Sequence, residues 1–324
     1  MHDSLVSIVM PSYNKQAHVV EGIHSVLGQS YSNWELIIID DASNDGSVAL
    51  IKELCSKDNR IILEALPENH GANFCRNLGI KKSKGEYLIF FDADDVLAPF
   101  CLERRLKNIE NKDLDFAVFT MQVFNQKPGD DKRCWTPKSK NALADFLKHD
   151  LPWQTMQPIW KKEFVLKTQG FDESFERLQD VDFHTGALFL NPCFEQIASE
   201  PDCYYRIAEG RKIYSHYDFI SKRVKSTNKF VDKYKIRSEA YFSRKYLNES
   251  LYQTYVELVF ELRKNRISPS QFQNLEKLLL DQLLLPYNGF KALILMTSRG
   301  YNLKSFRIPG LNRILRLFFS VKLF

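Results

Sequence analysis

The sequence predicts an α/β fold, a doubly wound sheet flanked by helices, with an α-helical C-terminal appendage. Three observations predict it. Short apolar runs alternate with stretches of helical periodicity from Leu5 to Asp95. Those runs have no polar face, so the sheet must be covered on both sides, as parallel sheets are. Beyond residue 210 the chain turns into helix-patterned sequence rich in Tyr, Leu, Lys and Arg.

In order, Leu5–Met10 (LVSIVM) is a first strand, and Val20, Ile23, Val26 and Leu27 recur behind it at helical spacing. Leu36–Asp40 (LIIID) is a second strand ending in acid, and Val48, Ile51, Leu54 and Cys55 mark the next helix. Arg60–Leu66 is a third strand, Asn73–Lys82 a third helix, and Tyr87–Asp92 (YLIFFD) a fourth strand. Strand–helix alternation implies parallel connections. The strand ends read PSYN, DDASNDGS and DADD, and ligands of doubly wound sheets bind beyond the carboxyl ends of the strands. From Pro99 to Ile207 the pattern is mixed, with a strand-like run Phe116–Phe124, a polar loop Gly129–Lys140, and helix signals at Leu143–Lys148 and Asp182–Leu190.

Charge is unevenly divided. Residues 211–324 hold 22 Lys+Arg against 8 Asp+Glu, whereas residues 1–210 hold 23 against 32, which points to two structural units. The six cysteines form no C-x-x-C pair and lie among apolar positions. That pattern favours free thiols in a reducing compartment over disulfides or a zinc site. No signal-peptide pattern opens the sequence, and no run reaches the roughly 18 apolar residues of a spanning helix, so a cytoplasmic protein is expected.

Asp92-Ala93-Asp94-Asp95 follows the fourth strand directly. Three carboxylates in four residues repel one another. One reading neutralises them with a divalent cation, Mg²⁺ or Mn²⁺, which suits hard oxygen ligands and keeps positions for substrate phosphates. The other is a solvated turn capping the helix that starts near Pro99.

The neighbouring motifs bear on this choice. PSYN (Pro11–Asn14), DDASNDGS (Asp40–Ser47), CRNLGI (Cys75–Ile80) and GEYLIFFDADD (Gly85–Asp95) occur in series. The ordered set resembles the family 2 glycosyltransferases of GT-A fold. The resemblance implies a GT-A type doubly wound mixed sheet in a catalytic domain spanning residues 1–210, followed by the basic helical region 211–324. Residues 1–98 would be the nucleotide-binding half and 99–210 the acceptor-binding half. It implies an inverting transfer of sugar from a nucleotide-sugar donor, a UDP-sugar above all, to a hydroxyl of a glycan or lipid-linked acceptor, as in cell-surface polysaccharide synthesis.

Residue by residue, the resemblance places Pro11, Tyr13 and Asn14 at the nucleotide, with the Tyr13 ring as a stacking face. Asp41, or less favourably Asp40, would accept a hydrogen bond from a uracil-type base, and Arg76 would stand near the base or diphosphate. Asp92 and Ala93 would contact the ribose side. Asp94 would bind Mn²⁺ or Mg²⁺, with Asp95 as a second metal ligand or a donor-sugar contact. Each has a plainer role: Tyr13 packing, Asp41 capping the helix near Ser47, Arg76 pairing with a surface acid.

Transfer with inversion needs a carboxylate to take the acceptor proton. The family supplies it from a short acidic motif, usually ED, after a GGFDE-like element. The equivalents here are Gly170-Phe171-Asp172-Glu173 and Gln179-Asp180-Val181-Asp182. Asp180 is therefore the expected general base, with Asp182 as the reserve or as a charge at a helix N-terminus. Gln179 stands where the family usually carries Glu, so no upward push on the Asp180 pKa is expected from that neighbour. His184, Trp153 and Trp160 are expected to pack. Arg206 and Arg211 rank as lesser candidates for the diphosphate.

The last stretch, Leu311–Phe324, sets Leu311, Ile314, Leu315, Phe318 and Phe319 on one helical stripe among Arg313, Arg316 and Lys322. Such a helix either lies on an anionic membrane surface or packs on other helices or a second subunit in a homo-oligomer. No nucleic-acid motif is present. A nucleotidyltransferase would need a Gly-rich, Arg-containing loop after the first strand, and a dinucleotide oxidoreductase G-x-G-x-x-G; PSYN is neither. A non-catalytic sugar- or nucleotide-binding relative would lose its acidic motifs, and these are present apart from Gln179.

Overall fold

The computed structural model describes residues 4–207, 215–237 and 241–283, without side chains for 241–243. The chain divides into two compact units. The first holds residues up to 142, then Leu151–Phe175 and Gln179–Arg211; the second holds Leu143–Asp150, Glu176–Leu178 and the chain from Lys212.

The N-terminal elements are β1 (Val6–Ser12), α1 (Val19–Leu27), β2 (Trp34–Asp40), α2 (Ser47–Cys55), β3 (Ile61–Ala65), α3 (Ala72–Lys82) and β4 (Tyr87–Phe90). The expected order is thus present, and both β2 and β4 are buried at every position. After the carboxylate loop come β5 (Val96–Leu97), α4 (Cys101–Ile109), β6 (Phe116–Phe119), β7 (Met121–Phe124), β8 (Cys134–Trp135), α5 (Ala142–Leu147), β9 (Pro158–Lys161), α6 (Lys162–Lys167), α7 (Gln179–Leu188), β10 (Phe194–Ile197) and β11 (Cys203–Arg206). The second unit continues with α8 (His216–Lys235), α9 (Tyr241–Arg263) and α10 (Pro269–Leu280).

The main sheet has seven strands in the order β10-β6-β9-β4-β1-β2-β3. β1, β2, β3 and β4 are parallel, as the alternation implied. β9 is antiparallel to both β4 and β6, which makes the sheet mixed and departs from parallel connections throughout. The run Phe116–Phe124 is not one strand. β6 belongs to the main sheet, whereas β7 joins a second, four-stranded sheet, β5-β11-β7-β8. The chain changes sheets at Thr120, and buried Gln157 fastens the bend by donating Nε2 to the carbonyls of Phe119 (2.7 Å) and Trp135 (2.9 Å).

α3 lies close on β1. A Cβ at Gly79 would sit 2.2 Å from a methyl of Val9, so only glycine permits this approach. Within the second unit α8, α9 and α10 pack on one another through Val224, Phe230, Leu251, Tyr255, Leu275 and Leu279. A Thr227–Thr254 hydrogen bond of 2.9 Å and a capping box at Ser268 and Gln271 complete the local polar pairing. No described helix is long and apolar enough to cross a membrane. The segment Leu311–Phe324, read as a cationic amphipathic helix, lies outside the described residues, as does Arg211.

Candidate active site

The loops that leave the carboxyl ends of β1, β2 and β4 meet at one end of the sheet. Those after β1 and β2 are laced together. The Asn14 N–H donates to Ser43 Oγ (2.8 Å), the Asn44 N–H to Asn14 Oδ1 (2.9 Å), the Lys15 N–H to Ser47 Oγ (2.9 Å) and the Gly46 N–H to Gln16 Oε1 (2.9 Å). Asn14, with φ 51°, thus holds the two loops together. Tyr13 is 46% exposed and so is not packed into the core.

Asp40 is fully buried and engaged by the Ser43 N–H (2.9 Å), the Ser43 hydroxyl (2.7 Å) and the Ser12 hydroxyl (3.2 Å). Asp41 does not cap α2; the Ser47 N–H at its start donates to Asp45 Oδ1 at 2.9 Å. The Asp41 carboxylate instead accepts the N–H groups of His70 (2.7 Å) and Gly71 (2.8 Å), tying the start of α3 to the end of β2. Asp41 is buried, at 3% exposure.

α3 is the element that joins the two halves of the motif series. Asn73, Arg76 and Asn77 share one face at helical spacing. Asn77 donates to the Phe171 carbonyl (2.8 Å), and its Oδ1 accepts the Phe171 N–H (2.8 Å). Asn73 donates to the Asp172 carbonyl (2.8 Å). Gly170 takes φ 79° here, a conformation glycine adopts freely. The GFDE element is therefore strapped to α3, and the chain that follows enters α7 beside Arg76.

Arg76 is 6% exposed and donates Nη2 to Asp92 (2.9 Å) and Nη1 to Asn73 and Gln179 (each 3.3 Å). One guanidinium thus links the end of β4 to the first residue of α7. Asp180 follows at once, half-buried, its Oδ1 accepting the Val181 N–H at 2.9 Å. Burial raises its pKa; the Val181 N–H and Arg76 oppose this, and Asp92 adds a smaller upward push. Losing a Glu at position 179 does not leave the base unperturbed, because desolvation supplies the shift.

The carboxylate loop is neutralised from within. Asp92, 42% exposed at its side chain, pairs with Arg76, and Asp94, 19% exposed, pairs with the ammonium of Lys15. Two of the three carboxylates of the loop thus have a cationic side chain as partner. Asp95, expected beside Asp94 at the metal, is 2% exposed and accepts the Arg206 N–H at 2.8 Å. Burial, followed by Asp92 and Asp94, drives its pKa well up. Its carboxyl is directed into the protein and braces the loop. Ala93 is buried as well, its carbonyl against Gly22 of α1.

Arg206 makes its contacts within the protein. Its Nε donates to the Asp94 carbonyl (2.8 Å), its Nη2 to Glu21, and its guanidinium lies 4.3 Å from the centre of the Phe124 ring. Trp153 and Trp160 are fully buried, and the His184 ring lies among them, burial holding its pKa down to about 3. All six cysteines are free; Cys75, Cys101 and Cys203 are buried, but Cys134 and Cys193 are exposed.

Among the described residues no group of three His, Cys, Asp or Glu side chains is arranged to hold a metal. Asp92 and Asp94 are the part-exposed carboxylates of the loop, and one or two carboxylates suffice for a Mg²⁺ or Mn²⁺ that takes its other ligands from phosphate oxygens and water. Lys15, Asn73 and Asn77 are the parts of the site the sequence reading missed. The spacing of Asn73, Arg76 and Asn77 on one helix face was the available signal.

The family model of glycosyl transferase family 2 matches residues 7–175. An uncharacterized glycosyltransferase of Methanocaldococcus jannaschii is 31% identical over 232 residues, covering 67% of this chain and 79% of its own length. The Escherichia coli protein WfgD, named a UDP-Glc:α-D-GlcNAc-diphosphoundecaprenol β-1,3-glucosyltransferase, is 35% identical over 125 residues, covering 39% and 49%. The chain spans less than half the length of several curated relatives that it matches. Among solved structures, S. aureus TarS 1-349 in complex with UDP-GlcNAc superposes with a TM-score of 0.67 at 16% identity, over 97% of this chain and 92% of that one. That likeness establishes the GT-A fold. With its motif series, its mixed sheet and the match over residues 7–175, the chain belongs to glycosyl transferase family 2.

Proposed function

We propose that this chain is an inverting glycosyltransferase that moves a sugar from a nucleotide-sugar, a UDP-sugar by preference, onto a hydroxyl of a glycan or lipid-linked acceptor. One observation carries the reading: Arg76 joins Asp92, in the carboxylate loop, to Gln179, the neighbour of Asp180. This link supports a reading in which the donor-binding acid and the base share one site.

In this reading Tyr13 stacks on the base, Asp41 accepts from its edge, and Asp92 faces the ribose. Asp94, with Asp92 beside it, holds Mn²⁺ or Mg²⁺, which when bound offsets the charge of the diphosphate leaving group. Asp180 takes the proton of the acceptor hydroxyl as its oxygen attacks the anomeric carbon from the face opposite the diphosphate. Its raised pKa makes it a better proton acceptor than an exposed aspartate, provided the pH keeps it ionised. The UDP-sugar preference is supported by the name of WfgD and by the UDP-GlcNAc complex of TarS. The lipid-linked acceptor is supported by the diphosphoundecaprenol named for WfgD.

The test is turnover of a UDP-sugar panel with Mn²⁺, comparing the wild-type protein with Asp94→Ala and Asp180→Asn. The expected result is a loss of about 10²–10⁴ in rate for Asp180→Asn and a loss of metal dependence for Asp94→Ala. Equal turnover by all three proteins refutes the assignment. Binding of UDP-sugar without turnover in any condition would favour a non-catalytic relative.

A further inference from the structure

The Asp94 carboxylate already has a cation, and it is a side chain of the β1–α1 loop. We propose that Lys15 is an internal counter-cation that competes with a divalent metal ion for Asp94 and, once displaced, contacts the diphosphate of the donor. The inference rests on the glycosyltransferase reading above and adds a residue that none of the four sequence motifs contains.

The backbones on either side of the pair are fixed. The Lys15 N–H donates to Ser47 Oγ at 2.9 Å, and its carbonyl accepts the N–H groups of His18 (2.9 Å) and Val19 (2.8 Å) at the start of α1. The Asp94 carbonyl accepts Arg206 Nε at 2.8 Å, and the Asp95 N–H closes a turn onto the Asp92 carbonyl at 3.1 Å. Exchange of Lys15 for a metal therefore needs only rotation of the lysine's flexible four-carbon stem. The two side chains are 31% and 19% exposed, so ions from solvent can reach the pair. An ion pair of that exposure is weak enough to be displaced by a doubly charged ion.

Where the displaced ammonium goes follows from its neighbours. Glu21 is held by Arg206, Asp92 by Arg76, and Asp45 by Ser47 and Gln16. The anion that arrives with the metal is the diphosphate, and a lysine ammonium binds phosphate as a point charge without a fixed approach geometry.

The experiment is a Mn²⁺ titration, followed by the electron paramagnetic resonance signal of the free ion, on the wild-type protein, Lys15→Met, Lys15→Gln and Asp94→Asn, without nucleotide and with UDP. Circular dichroism melts check that each variant is folded. Without nucleotide, both Lys15 variants should bind Mn²⁺ about five- to tenfold more tightly than wild type, because a repelling unit charge has been removed from a part-exposed site. With Mn²⁺ present, both should bind UDP about tenfold more weakly. Unchanged or weaker Mn²⁺ binding by both folded Lys15 variants overturns the inference while leaving the enzyme reading in place. Equal Mn²⁺ binding by wild type and Asp94→Asn overturns the metal site itself, and the role of Lys15 with it.

Discussion

Replacing Arg76 by Met separates the site's two halves while keeping most of the apolar stem. The substitution removes one charge-assisted bond to Asp92 at 2.9 Å and two longer ones, at 3.3 Å, to Asn73 and Gln179. A hydrogen bond to a charged partner contributes about 1.5–3 kcal/mol. Because Asp92 is 42% exposed at its side chain, water replaces part of that bond, and the low end applies. The two long bonds add about 0.5 kcal/mol each, so the expected loss is about 2–3 kcal/mol. For a unit of this size that lowers the melting temperature by about 4–12 °C. The pH profile moves as well. Arg76 is one of the groups holding the Asp180 pKa down, and Asp92 one of those pushing it up. Removing the cation lets the pKa rise further, so the acid limb of the rate profile shifts to higher pH. The assays are differential scanning fluorimetry and UDP-sugar turnover across the acid range. A melting temperature within about 1 °C of wild type, together with an unmoved acid limb, refutes Arg76 as the link between the carboxylate loop and the base.

Two further predictions concern charges withdrawn from water to different degrees. Asp180→Asn should abolish most activity without lowering the melting temperature at neutral pH. A carboxyl whose pKa is raised in the folded state favours folding when protonated, and that contribution is lost as pH rises through the raised value; a neutral amide removes the penalty, so a large destabilisation at pH 7 would contradict the desolvated site. Arg105 and Asp202 form a fully buried pair at 2.7 Å, with Arg105 Nη1 also on the Met156 carbonyl at 2.9 Å. Arg105→Met should cost about 3–5 kcal/mol in urea unfolding by stranding Asp202, and adding Asp202→Asn should recover part of it; no recovery would show that the loss came from packing.

The first four strands and three helices were legible because their signals are local. Short β-branched runs such as Leu36–Ile39, punctuated by Gly-, Asn- and Asp-rich turns, read as strands covered on both faces. The second half was less so. The run Phe116–Phe124 reads as one strand because nothing in its apolar pattern records that Thr120 is where the chain leaves one sheet for another. Gln157, thirty-odd residues on in the chain by the numbering, fastens that bend. β9 went unseen for a related reason: Pro158–Lys161 is short, and its place between β4 and β6 comes from pairing partners far away in sequence.

The same division runs through the site. Its inventory was written in the chain, since PSYN, the paired acids, CRNLGI, DADD and the QDVD segment are contiguous residues whose order and chemistry can be read directly. What each acid does was decided by the tertiary structure. Asp92, Asp94 and Asp95 are near-identical as sequence, yet one meets Arg76, one meets Lys15, and one is buried on the Arg206 N–H. Partners 16, 79 and 111 positions away set those fates. A carboxylate's charge state and reach depend on its solvent exposure and on which cations stand beside it. Neither quantity exists until the chain has folded and brought distant residues together.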